Sequence, residues 1–293
     1  MRISDEVREA LASRRPVVAL ETAVVTHGLP RPMNLEVARE CEAAVRRAGA
    51  VPAGVAVFEG EVRVGLAPEE MERLANDQGA GKCAARDLGA LAAAGRSGGA
   101  TVSATMAVAA AVGVAVMSTG GIGGVHLGDG FDISADLPQL ARSPVLVVSA
   151  GAKAILDLAR TLEYLETLGV PVLGYGTNQF PRFYVRETGL RLAHRFDTPE
   201  AVARAAAAYR ALGYTGGILV AQPPPESLPR EELEKALDSA VARATGQKIS
   251  GPALTPFLLA ALAEETGGRT LELNRKLLVA NARLAGEIAC VLR

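Results

Sequence analysis

The chain has 293 residues, with 31 Lys plus Arg against 32 Asp plus Glu and a formal charge of −1. That balance leaves no electrostatic footprint for nucleic acid or an anionic membrane, and 49% apolar residues suffice for a large core without disulfides or a structural metal. The three cysteines, Cys41, Cys83 and Cys290, lack paired spacing, which argues against a disulfide framework or a zinc knuckle and fits a reducing cytoplasm.

The N-terminal stretch Met1–Arg15 is charged and has no apolar signal core. Short apolar runs then recur along the chain: Val17–Leu20, Val55–Phe58, Val114–Met117, Val145–Ser149, Val170–Gly174 and Ile218–Ala221. Continuous Val/Ile/Leu runs of this length predict strands buried on both faces. Val55–Phe58 and Val62–Val64, joined across Glu59-Gly60, predict a hairpin. The stretch Val102–Met117 is shorter than the roughly 20 residues of a spanning helix, is broken by Gly113, and reads as a buried helix followed by a strand. Lys153–Leu168 predicts an amphipathic helix ended by Gly169. Thr198-Pro199-Glu200 supplies a cap, a first-turn proline and an acid for a helix over Ala201–Leu212. Thr255-Pro256 opens another helix in the same way, and a long helix runs from about Leu271 to Leu292. Strands separated by helices predict an α/β fold, a three-layer α/β/α sandwich with a mixed, mostly parallel central sheet, in one domain over residues 1–293.

Several residues in this frame carry chemistry. Glu21 ends the first strand, where a half-buried carboxyl gains a raised pKa and can donate a proton near neutrality. An acid that only bonds the following loop amides would look the same. Lys82, in a loop with Gly79 and Gly81, could meet a phosphate or simply face water. The run Gly120-Gly121-Ile122-Gly123-Gly124-Val125-His126 follows a strand and lets backbone approach a ligand closely. It matches neither a Walker loop nor a dinucleotide fingerprint, and His126 is a candidate phosphate partner. In Phe131-Asp132-Ile133-Ser134-Ala135-Asp136, two carboxylates and a hydroxyl suit a loosely held Mg²⁺ or Mn²⁺. The same run can start a helix with Ser134 as cap and Asp136 in its first turn. Lys153, after the small-residue turn Ala150-Gly151-Ala152, falls in the first turn of its predicted helix. The positive helix end disfavours a cation there, so the expectation is a neutral amine fit for attack on a carbonyl or anomeric carbon. A snorkelling lysine or a phosphate ligand are the other readings.

The order and wording of these segments resemble one family. Leu20-Glu21-Thr22, His27-Gly28, Pro32-Met33-Asn34 and Gly49-Ala50-Val51-Pro52-Ala53 are similar to the N-terminal third of pseudouridine-5′-phosphate glycosidases, also called indigoidine synthase A-like proteins. The likeness continues through Lys82, Arg86-Asp87-Leu88, Gly99-Ala100-Thr101-Val102, Thr119 to His126, Phe131 to Leu137 and Ser149-Ala150-Gly151-Ala152-Lys153. Leu156-Asp157-Leu158, Glu163 to Thr167, Thr255-Pro256-Phe257-Leu258-Leu259 and Glu287-Ile288-Ala289 extend it almost to the C-terminus.

The resemblance implies reversible cleavage of the C–C glycosidic bond of pseudouridine 5′-phosphate to uracil and ribose 5-phosphate. It implies Lys153 as the Schiff-base nucleophile, Glu21 as proton donor and Asp132 as the ligand of one Mn²⁺ ion. Lys82, Val102, Ser134, Ala135 and Asp136, with His126 and Asn281, are implied as substrate contacts. It further implies a small nucleotide substrate, a cytoplasmic enzyme and a homotrimer. Leu127 stands where that family would have a basic residue, and the loop to Phe131 is short, so the expectation is a phosphate contact that is missing or replaced by Arg182 or another arginine. A Schiff-base aldolase or lyase on another sugar phosphate, or a non-catalytic nucleotide-binding module, would share many of these features. Uracil release separates them.

Overall fold

The computed structural model describes residues 1–128, 131–249 and 254–292. Among these, the main sheet has eleven strands. Its principal path runs Arg2–Ile3, Glu61–Val64, Val51–Phe58, Val17–Leu20, Val116–Ser118, Leu146–Ser149, Ile218–Ala221, Val172–Tyr175, His194–Phe196, with Gly81–Cys83 and Gly98–Ala100 attached beside Val51–Phe58. Every neighbour pair from Val51–Phe58 to His194–Phe196 is parallel. The pairs of Val51–Phe58 with Glu61–Val64 and with Gly98–Ala100 are antiparallel. The sheet is therefore mixed and mostly parallel, and the hairpin across Glu59-Gly60 is present.

Helices cover both faces, as parallel strands require for two-sided burial. Helix Arg269–Val291 lies across the central strands with Met33–Arg47 and Pro199–Ala211 beside it, and Val102–Val112 packs on the opposite face with Asp136–Arg142. Val102–Val112 buries Ala, Val, Met, Ser and Thr alike, with Ser103 and Thr105 fully enclosed. Gly113 ends that helix in the left-handed conformation at φ +79°. Among the described residues no helix is long and apolar enough to cross a membrane.

Element bounds shift where hydrogen bonding overrides apolar periodicity. The third expected strand moves to Val116–Ser118, because Val114 N–H completes the helix end on Ala109 O. Thr198 caps its helix as expected, its hydroxyl accepting from Ala201 N–H. The larger correction concerns Lys153. Its helix begins at Leu158, with Asp157 as the cap accepting from Arg160 N–H at 3.0 Å. The preceding residues are committed elsewhere: Lys153 N–H donates to Ile122 O at 3.1 Å, and Leu156–Asp157 pairs antiparallel with Val125–His126. Lys153 therefore sits in a loop before the helix, and a helix dipole does not act on it as expected.

Candidate active site

The sheet register brings the functional segments to one edge. Leu20 lies opposite Ser118, and Ser118 opposite Val148. Glu21, Thr119 and the loop after Ser149 consequently leave the sheet side by side at its carboxyl edge, where parallel α/β sheets hold ligands. Glu21 accepts from the Thr119 hydroxyl at 3.1 Å and from Val24 N–H at 3.0 Å. Its carboxyl reaches the cleft but is closely ringed by protein. Burial raises its pKa, the Lys153 charge and the two hydrogen bonds oppose the rise, and Asp136 adds to it. Desolvation wins, which keeps the proton on Glu21 to higher pH than an ordinary glutamate.

The loop carrying Lys153 is fixed by tight turns. Gly151 has φ +71°, and a Cβ there would meet Pro181 O at 2.0 Å, so no other residue fits. The glycine run opposite it serves protein packing. A Cβ on Gly121 would meet the Phe183 ring at 2.6 Å, on Gly123 the Ser134 Oγ at 2.2 Å, and on Gly124 the Thr161 Oγ1 at 2.4 Å. Each glycine thus lets a neighbouring side chain press against the loop.

Asp136 is the staple of this wall. Its two oxygens accept from Ser103 N–H and Gly123 N–H, both at 2.8 Å, and the residue is 5% exposed. Ser103 stands in the first turn of Val102–Val112, so Asp136 satisfies an orphan amide of a helix to which it does not belong. The helix Asp136–Arg142 is capped one residue later than expected, at Ala135, while Ser134 Oγ accepts from Asp136 N–H at 3.2 Å.

A cleft of about 800 Å³ opens in front of these groups. Glu21, Lys153, Lys82, Val102, His126, Asp132, Ser134, Ala135 and Asp136 all line it. Lys82 is open to water but stands on a concave wall. Desolvation and the like charge of Lys153 lower its pKa, with Asp136 and Glu21 opposing. His126 is also held low, chiefly by burial, with Asp132 opposing across a 4.0 Å gap. Asp132 is well exposed on the rim. Among the described residues no three His, Cys, Asp or Glu side chains converge as a metal cage. One outward carboxylate suits a hard divalent ion held otherwise by water and substrate oxygens, and does not suit a protein-enclosed ion.

Two expected residues stand elsewhere. Asn281 is 1% exposed, lines neither lobe, and spends its amide N–H groups on the carbonyls of Thr119 at 2.9 Å and Gly120 at 3.3 Å. It shapes the glycine loop from behind. Arg182 lies across the Lys153 loop in a separate groove with Leu127 and Leu156, its Nε donating to Ala154 O at 3.0 Å. The short loop before Phe131 includes residues 129 and 130, which lie outside the described residues.

Behind the cleft is a smaller lobe that the sequence did not point to. Glu21, Ala23, Lys82, Lys153 and Thr255 border both spaces and form the neck between them. The inner lobe adds His27, Phe183, Leu278 and Asn274. Asn274 is 5% exposed, and its Oδ1 has no hydrogen-bond partner among the described residues. A buried amide oxygen without a donor is costly, which singles Asn274 out among the residues of this wall. The signal available in sequence was a polar residue on the inward stripe of an apolar helix.

Fold and site together define an α/β enzyme that presents a lysine and a carboxyl group of raised pKa at the neck of a two-lobed cleft. The chain belongs to the family described as indigoidine synthase A like protein, whose match spans residues 6–291. It is 51% identical to a protein of Paracoccus denitrificans and 52% identical to one of Myxococcus xanthus, each named pseudouridine-5′-phosphate glycosidase. In both cases the match covers 99% of this chain and 97% of the relative. Among solved structures, the prealnumycin C-glycosynthase AlnA in complex with ribulose 5-phosphate is 42% identical, with a TM-score of 0.91 over 99% of this chain and 96% of that one.

Proposed function

We propose that this protein cleaves pseudouridine 5′-phosphate to uracil and ribose 5-phosphate, and joins them in reverse, through a Schiff base on Lys153. The observation that carries the reading is the neck: Lys153 and Glu21 stand together where the larger cleft meets an inner lobe. The names of the relatives and of the C-glycosynthase neighbour support C–C chemistry at a sugar phosphate.

A carbon–carbon glycosidic bond offers no leaving-group heteroatom to protonate. Lys153 instead bonds to the anomeric carbon while the sugar ring opens, with Glu21 delivering the proton the ring oxygen needs. The alkylated lysine returns a proton to Glu21, its nitrogen then supplies the electron pair for an iminium, the C–C bond breaks, and Glu21 delivers that proton to the departing ring carbon of the base. Water hydrolyses the iminium. Lys82 and the walls around Ser134 and Val102 hold the sugar phosphate, and the inner lobe holds the base, with Asn274 Oδ1 accepting one of its N–H groups. Asp132 would hold a Mn²⁺ ion, whose charge would neutralise phosphate or sugar oxygens at the rim. A homotrimer is part of the reading, carried over from the family resemblance.

Incubation with pseudouridine 5′-phosphate, with and without Mn²⁺, tests the activity. Free uracil is expected, and no uracil release under either condition refutes the reading.

A further inference from the structure

The inner lobe contains a histidine to which no role has been given. His27 lies in a single π-helical turn, Val24–Gly28, that follows directly from the Glu21 strand end. Such turns are rare and concentrate at functional sites, because the wider winding reorients side chains. Here the turn places His27 on the lobe wall with Asn274, and across from Lys153.

The ring is held by an unusual contact for adjacent residues. His27 Nδ1 lies 2.6 Å from Thr26 Oγ1. The other acceptors open to the Thr26 hydroxyl, Thr22 O and Ala23 O, are both 3.4 Å away. Thr22 O already accepts from Val25 N–H and Thr26 N–H. The short contact favours the hydroxyl hydrogen on Nδ1, which leaves the ring proton on Nε2; the opposite tautomer would send the hydroxyl to one of the two longer carbonyl contacts. Gly99 makes room for this arrangement, since a Cβ there would meet Thr26 Oγ1 at 2.3 Å. Burial, together with the Lys82 charge, lowers the His27 pKa and keeps the ring neutral. Glu21, Lys82 and Lys153 are the charged groups sharing its lobe.

We infer that His27 is a base-recognition residue, oriented by Thr26 over Gly99, whose Nε2–H donates to a carbonyl of the pyrimidine in the inner lobe. With Asn274 Oδ1 accepting an N–H, the lobe then offers a donor and an acceptor to the alternating carbonyl and imide edge of uracil. The inference rests on the functional reading above, and deepens it by naming what selects the base.

The test measures uracil affinity directly by calorimetry with uracil as the sole added substrate, and KM for each substrate in the synthetic direction. H27F should weaken uracil binding on the order of 10- to 100-fold, the loss expected for one buried hydrogen bond, and leave the KM for ribose 5-phosphate unchanged. H27Q, which keeps an amide N–H near the Nε2 position, should recover most of the loss. T26V should give a smaller loss of the same kind. Unchanged uracil affinity in H27F overturns the inference, as does an equal loss for both substrates that H27Q does not restore. A wild-type protein that binds uracil but neither cleaves nor forms pseudouridine 5′-phosphate refutes the functional reading and leaves the His27 inference standing. A wild-type protein that binds no uracil refutes the inference.

Discussion

The carboxylate of Asp136 accepts the backbone N–H of Ser103 at 2.8 Å, closing the first turn of a helix that lies 33 residues earlier in the chain. Its other oxygen holds Gly123, so one side chain fixes both the helix start and the glycine loop that frame the cleft. Asp136→Asn keeps one acceptor and turns a carboxamide NH2, a donor, toward the second backbone N–H. We expect a loss of about 2–4 kcal/mol in a denaturant melt, since hydrogen bonds to a buried charge are among the strong ones. Activity should fall further than stability explains, because the loop wall moves. A variant with an unchanged midpoint would show that the staple is dispensable.

Lys153→Ala should abolish turnover while leaving the melting temperature within a few degrees, because the side chain borders the cleft and makes no hydrogen bond among the described residues. Borohydride added with ribose 5-phosphate should attach a sugar-phosphate mass to Lys153 in the wild type alone. Mass spectrometry finding turnover without that adduct would eliminate the Schiff base.

Glu21→Gln should lower kcat by about 10²- to 10⁴-fold, the usual worth of a general acid. The pH dependence has a definite sign. The raised pKa keeps the acid form present above the ordinary glutamate range, and activity should decline as pH rises through the shifted value. Stability follows the same sign: a folded-state pKa above the unfolded one favours the fold at low pH, and that advantage is lost as pH climbs through the folded value. Glu21→Gln should therefore melt higher than the wild type at alkaline pH, with the gap closing in acid.

Asp132→Ala should leave stability within about 0.5 kcal/mol, as expected for an exposed side chain outside any network. It should also raise the Mn²⁺ concentration that supports half-maximal activity. Chelator treatment should reduce wild-type activity reversibly. Equal metal dependence in the two proteins would remove Asp132 as the ligand.

Much of the architecture was legible because burial on both faces of a parallel strand leaves an unbroken apolar run. Ile218–Ala221 and Val17–Leu20 have the bounds their sequence implied. The hairpin at Glu59-Gly60 was equally legible, both residues there having positive φ. The start of the helix after Lys153 was not. Periodicity runs back to Lys153, but backbone pairing with the glycine loop takes those residues first, and only the three-dimensional neighbour supplies that competitor.

Local wording determined that Glu21 follows a strand end, that Lys153 follows a strand across a small-residue turn and that a glycine run lies between them, since strand ends and turns follow from nearest neighbours in the chain. Which side chains then share a space was settled by register and helix packing, which bring together residues up to hundreds of positions apart. Asn281 and Asn274 show the difference: both polar, both on the buried stripe of one helix, seven residues apart. One bonds loop carbonyls and the other borders the inner lobe, its side-chain oxygen buried and without a partner among the described residues. A helix of period 3.6 puts both on the same face, and only the loops lying across that face assign each its partner.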